Sequence, residues 1–96
     1  MIVGIYKLSG RIEVFSLKEK RQIIKSLVHK IQNKYHISIA ETGVQDNLQQ
    51  VEIGMAIVSN NKPMIEKSME QILSFIESHY AIEIFEWDFE FIYFDN

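Results

Sequence analysis

The sequence predicts an α+β sandwich, in which a four-stranded antiparallel sheet carries two helices on one face. Three observations predict it. Apolar and polar residues alternate at the start, in the middle and at the end of the chain, with the period of two that a half-buried strand requires. Two intervening stretches change to the helical period, each behind a capping residue. The elements succeed one another as strand, helix, strand, strand, helix, strand within 96 residues, the length of a single domain. Residues 1–96 are therefore expected to form one domain.

The first strand begins at Ile2. Ile2, Gly4, Tyr6, Leu8, Gly10, Ile12 and Val14 fall on one face, and Val3, Ile5, Lys7, Ser9, Arg11 and Glu13 on the other. Gly10 marks a place for a bulge or bend in a long strand. Ser16 and Glu19 have the spacing of a capping box, which predicts a helix over 17–35. At 100° per residue Leu17, Ile24, Leu27, Val28, Ile31 and Tyr35 gather on its apolar stripe. Ile37–Ala40 reads as a short second strand. Residues 41–50 contain Gly43, Asp46 and Asn47 and read as a loop. Val51, Ile53, Met55 and Ile57 alternate along a third strand.

Ser59-Asn60-Asn61-Lys62-Pro63 opens the second helix, predicted over 62–79. Asparagine caps helices well, and proline is tolerated in a first turn, where its missing N–H is not needed. Ile65, Met69, Ile72, Leu73 and Ile76 form its stripe. From Ile82 to Phe94 a last strand sets Phe85, Trp87, Phe89, Phe91 and Tyr93 against Glu86, Asp88 and Glu90, with a slip of phase between Ile84 and Phe85. The aromatic row is expected to serve mainly as core, with Phe91 and Tyr93 protruding towards a second subunit. Two interlocked βαβ units give a ferredoxin-like βαββαβ fold with strand order 4-1-3-2. Its uncovered face would carry Val3, Ile5, Ala56 and Val58 beside Lys7, Arg11 and Glu52.

Composition excludes several classes. The chain has no cysteine, hence no disulfide framework and no thiolate metal site. The N-terminus lacks a basic segment followed by a long apolar one, and no apolar run approaches the roughly 18 residues of a transmembrane helix. A cytoplasmic protein without a membrane partner is expected. No GxGxxG, P-loop, HExxH or GxSxG motif occurs. His29, His36 and His79 have no metal-ligand spacing. Neither a metal, a cofactor nor an enzymatic activity is expected.

The net charge of −3 hides an asymmetry. Residues 1–36 hold eight basic residues against two acids, a net +6, and residues 37–96 hold two against eleven, a net −9. Such a division suits an anionic partner or self-association. The alternative is that the halves neutralise each other across the fold.

One run narrows the field. Ser16-Leu17-Lys18-Glu19-Lys20-Arg21, continued by Lys25-Ser26-Leu27, resembles the signature of the YlxP-like family, also called domain-of-unknown-function family 503. Met1-Ile2-Val3-Gly4, Ile37-Ser38-Ile39-Ala40-Glu41, Gln45-Asp46, Glu52-Ile53-Gly54 and Val58-Ser59-Asn60 agree at matching spacing. The family often shows His-Gln-Asp where this chain has Val44-Gln45-Asp46, and the last strand is unusually aromatic. The resemblance implies a ferredoxin-like domain. It also implies a gene near those for transcription and translation-initiation factors, and so, by association, a role near RNA or the ribosome. It implies no activity.

The candidate nucleic-acid residues are Lys18, Lys20, Arg21, Lys25 and His29 of the first helix. Lys18, Arg21, Lys25 and His29 share an arc of about 80°, and Lys20, Lys30 and Lys34 lie towards the other flank. With Glu19 the one acid on this helix, such a surface attracts phosphate. The alternative is a solvated face whose lysines pair with acids of the second half. Gln45 and Asp46 are weaker candidates for a ligand site, turn chemistry being the alternative. On the uncovered sheet face the third strand carries Glu52, Gly54 and Ala56 where an RNA-recognition motif places its basic and aromatic residues. That face reads better as a protein contact, and a homodimer is expected. No reading of DNA sequence is expected. Two functions therefore stand side by side: an RNA- or ribosome-associated accessory protein, and a dimeric regulatory module that binds a protein or small ligand.

Overall fold

The computed structural model describes residues 1–95. Its elements are β1 (Ile2–Ile12), α1 (Leu17–Tyr35), β2 (Ser38–Gly43), β3 (Gln50–Ser59), α2 (Lys62–His79) and β4 (Ile82–Tyr93). All strand pairs are antiparallel, and the order across the sheet is β2-β3-β1-β4, which from the opposite edge reads β4-β1-β3-β2.

Local chemistry sets the helix ends. The Ser16 hydroxyl accepts the Glu19 N–H at 3.1 Å. The Glu19 carboxylate reaches one residue further back than a capping box requires and accepts the Phe15 N–H at 3.1 Å. His36 ends α1 in the left-handed region at φ 55°, its N–H bonded to the Gln32 carbonyl. The Asn61 side chain caps α2 through the Met64 N–H, with Pro63 in the first turn.

Alternation then sorts the side chains. Cross-strand register puts Tyr6, Leu8, Ile12, Ile39, Val51, Ile53, Met55 and Ile82 on one face of the sheet. Ile24, Leu27 and Ile31 of α1 and Ile65, Met69, Ile72 and Ile76 of α2 close over that face in a single buried cluster. Burying each such side chain contributes about 1.5–3 kcal/mol. The opposite face carries no helix.

Two strands depart from expectation. β2 runs on to Gly43 and takes Glu41 out of the expected loop, because Glu41 pairs with Ile53 of β3. On β4, Ser9 faces Glu86 while Gly10 faces Ile84, so Phe85 bulges out between them. Phe85 therefore leaves the aromatic row and lies under the Arg11 guanidinium, 5.3 Å from it. Gly10 permits this irregularity. A Cβ there would stand 2.9 Å from the Glu83 carbonyl oxygen and 2.6 Å from Ile82, so β4 can approach only a glycine.

The aromatic row is less buried than expected. Trp87, Phe89 and Phe91 surround the Tyr6 ring at 5.3, 5.2 and 6.0 Å. Trp87 and Phe91 are half-buried, but Phe89 and Tyr93 are exposed. β4 is an edge strand, so each ring has sheet on one side only.

Candidate functional site

Lys18, Arg21, Lys25 and His29 all project from α1 into solvent. They follow one another along the helix over about 16 Å, at 1.5 Å per residue. Lys20 does not join them. Its side chain is 1% exposed, and its ammonium group donates to the carbonyl oxygens of Val44 at 2.8 Å, Asn47 at 2.6 Å and Gln45 at 3.4 Å. The Glu41 carboxylate stands 3.4 Å away. The nucleic-acid role expected of Lys20 is thereby corrected: a buried ammonium saturated by protein oxygens has nothing to offer a phosphate. The wheel held the signal. Position 20 lies four residues before Ile24, seven before Leu27 and eleven before Ile31, and so continues the buried stripe by one turn.

The two sets of candidate residues meet. Arg21 reaches Asp46 at 3.7 Å, with both side chains mostly exposed. Gln45 donates its side-chain amide to the Glu41 carbonyl at 3.2 Å. The Asn47 side chain accepts from the N–H groups of Gln49 and Gln50 at 2.8 and 3.1 Å. These are turn-building bonds. Val44 takes φ 49°, unusual for a β-branched residue, and its carbonyl is one that Lys20 holds.

Charge is distributed unevenly over the two faces. The four ion pairs among the described residues are Lys7–Glu86, Arg11–Glu83, Lys20–Glu41 and Arg21–Asp46. Each joins the basic first part of the chain to the acidic second part, so that part of the asymmetry is neutralised within the fold. Glu86 holds the Lys7 ammonium, at 3.0 Å, above its ordinary pKa. Lys30 lies over the Tyr80 ring, and Lys34 over Tyr35 and Phe75. Lys18 and Lys25 have no carboxylate or ring partner among the described residues. The acids Glu83, Glu86, Asp88 and Glu90 stand on the helix-free face, opposite in register to Arg11, Ser9, Lys7 and Ile5.

One feature the sequence reading missed is a cleft of about 710 Å³ between residues 11–15, residues 80–83 and Gln49. Phe15 on its rim is 98% exposed. The cleft forms because the ends of β1 and α2 meet the start of β4, a juxtaposition no local pattern encodes. His36 serves as a helix cap, and His79 stacks on Phe75 at 4.3 Å. No group of three or more metal-binding side chains occurs among the described residues. No helix among them is long and apolar enough to cross a membrane.

Comparison with known proteins adds the following. A family model described as "Protein of unknown function (DUF503)" matches residues 3–89. The uncharacterized protein YlxP of Bacillus subtilis (strain 168) is 43% identical over 68 residues, which is 71% of this chain and 74% of that protein. Among solved structures, the VAO-type flavoprotein MtVAO615 of Myceliophthora thermophila C1 matches 95% of this chain with a TM-score of 0.60 and 9% identity. The chain spans only 16% of that flavoprotein's length. This last likeness is one of fold alone.

Proposed function

The chain belongs to the DUF503 family of proteins of unknown function, and on that premise we propose that it is a cytoplasmic, RNA- or ribosome-associated accessory protein of ferredoxin-like fold that binds phosphate through α1. The observation that carries this reading is the row Lys18, Arg21 and Lys25, exposed on one side of the helix and held by a single ion pair at its middle residue. The row lies one turn from residue to residue, so it follows a run of phosphates. Arginine grips a phosphate with two parallel hydrogen bonds, and lysine adds a mobile point charge. Lys18 and Arg21 stand near the positive end of the helix dipole. Acids on the far face of the sheet orient the approach by repelling nucleic acid there.

The test is retention of structured ribosomal RNA as salt is raised. About three contacts predict a log–log slope near −2 to −3. The triple reversal K18E/R21E/K25E abolishes binding while circular dichroism stays unchanged. Equal binding by the reversed protein, or none by the wild type at low salt, removes the proposal.

The second reading is a dimeric regulatory module that binds a protein or small ligand, and the cleft beside Phe15 favours it, since its volume lies in the range of ligand sites. Material that co-purifies at low salt separates the two: nucleic acid supports the first and a bound small molecule the second.

A further inference from the structure

The helix-free face of the sheet divides into two halves. Across β3, β1 and β4 its first row is Val58, Val3 and Ile92, and its second is Ala56, Ile5 and Glu90. Val58 is 60% exposed, Ile92 44% and Ile5 41%. From Lys7 onward the same face turns charged, with Lys7 bound to Glu86 and Arg11 to Glu83. The apolar half continues at the end of the molecule through exposed Met1 and Phe94, which follow Val3 and Ile92 in phase. Backbone hydrogen bonds fix that end, from the Phe94 N–H to the Met1 carbonyl and from the Met1 ammonium to the Phe94 carbonyl.

The chain also exposes somewhat more surface than the average folded monomer of its mass. Its accessible area is 6187 Å², against about 5700 Å² for a folded monomer of 11.3 kDa. Its radius of gyration is 13.7 Å, against about 12.5 Å for a compact chain of this length.

We propose that the apolar half of this face is covered by a second copy of the same chain, packed face to face about a two-fold axis near the Val58–Val3–Ile92 row. Charge selects this arrangement. Nucleic acid is repelled by Glu83, Glu86, Asp88 and Glu90 along the neighbouring strand. Pairing β4 edge to edge with its own copy would set those acids alongside an identical row, which is destabilising. A two-fold contact brings each patch against itself, a condition that uncharged Val and Ile satisfy and the acidic half does not. An axis through the apolar end lets the acidic halves diverge into solvent. β-Branched side chains on two such faces interdigitate at the roughly 10 Å spacing of a sandwich. The smallest stable interfaces bury roughly 600 Å² per partner, and exposed Met1 and Phe94 extend the Val58–Val3–Ile92 and Ile5 patch towards that area. Because α1 lies on the other side of the sheet, the dimer leaves both basic rows accessible, and the two proposals stand or fall separately.

Light scattering after size exclusion, at tens of micromolar, tests the proposal. The wild type is expected at twice its 11.3 kDa chain mass. V58E/I92E is expected at the monomer mass and K18E/R21E/K25E at the dimer mass. Should V58E/I92E lose its circular dichroism signal, V58S/I92S replaces it, with the dimer expected to be weakened at least tenfold. A wild type at the monomer mass overturns the proposal. So does a folded V58E/I92E or V58S/I92S that dimerises as tightly as the wild type.

Discussion

The ammonium nitrogen of Lys20 lies 2.6 Å from the main-chain oxygen of Asn47, twenty-seven residues further along the chain. This bond, with those to Val44 and Gln45, holds the turn after β2 against the first turns of α1. The Glu41 Oε2 atom is buried and accepts no hydrogen bond. The nearby Lys20 charge compensates it. K20M keeps the length and apolar stem of the side chain but leaves these oxygens unpaired. It is expected to lower stability by about 3 kcal/mol or more, read from urea unfolding. The double variant K20M/E41M regains part of that loss, because the buried carboxylate is gone. An unchanged midpoint for K20M would show that the turn does not depend on this lysine.

Asp46 competes with any anion for Arg21. The pair is solvent-exposed at 3.7 Å, and such pairs contribute about 0–1 kcal/mol. D46N is therefore expected to tighten binding of structured RNA by a few-fold at low salt, and the gain should vanish as salt rises. Weaker RNA binding by D46N, with the fold intact, would instead make Asp46 part of the binding surface.

Gly10 is the residue that admits the β4 bulge. G10A pushes a methyl group against the Glu83 carbonyl and Ile82. Overpacking of this kind costs about 1–3 kcal/mol, and the backbone contact offers little room to relax. The denaturation midpoint is expected to fall, whereas F85S, which alters the bulged side chain alone, should change it far less.

Tyr6 predicts a response to alkali. Burial raises the pKa of its phenol, and Glu66 and Glu70 on α2 raise it further. The unfolded chain therefore releases this proton first, at a pH of about 10. The Tyr6 contribution is fully present below that pH and is lost as pH climbs towards the folded value, at up to about 1.4 kcal/mol per pH unit. Y6F should flatten the fall in stability above pH ~10. Parallel curves for both proteins would assign the alkaline loss to other groups.

Much of this protein is legible in its sequence because the signals are local. Alternation gives the strands, and the stripes Ile24–Leu27–Ile31 and Ile65–Met69–Ile72–Ile76 give the helices. Ser16 and Asn61 fix where those helices begin, because a cap acts within three residues of itself. The slip of phase between Ile84 and Phe85 announces the bulge in the same way. What only the tertiary structure decided is which charges are available. Lys20 and Arg21 are neighbours in a basic run, yet one is buried under a turn and the other faces water. The difference depends on where residues 41–47 come to rest, and that is fixed by the pairing of β2 with β3. The exposure of Phe89 and Tyr93 likewise follows from the position of β4 at the sheet edge. An alternating pattern records which side of a strand a ring occupies. Whether anything packs on that side is settled by elements distant in the chain.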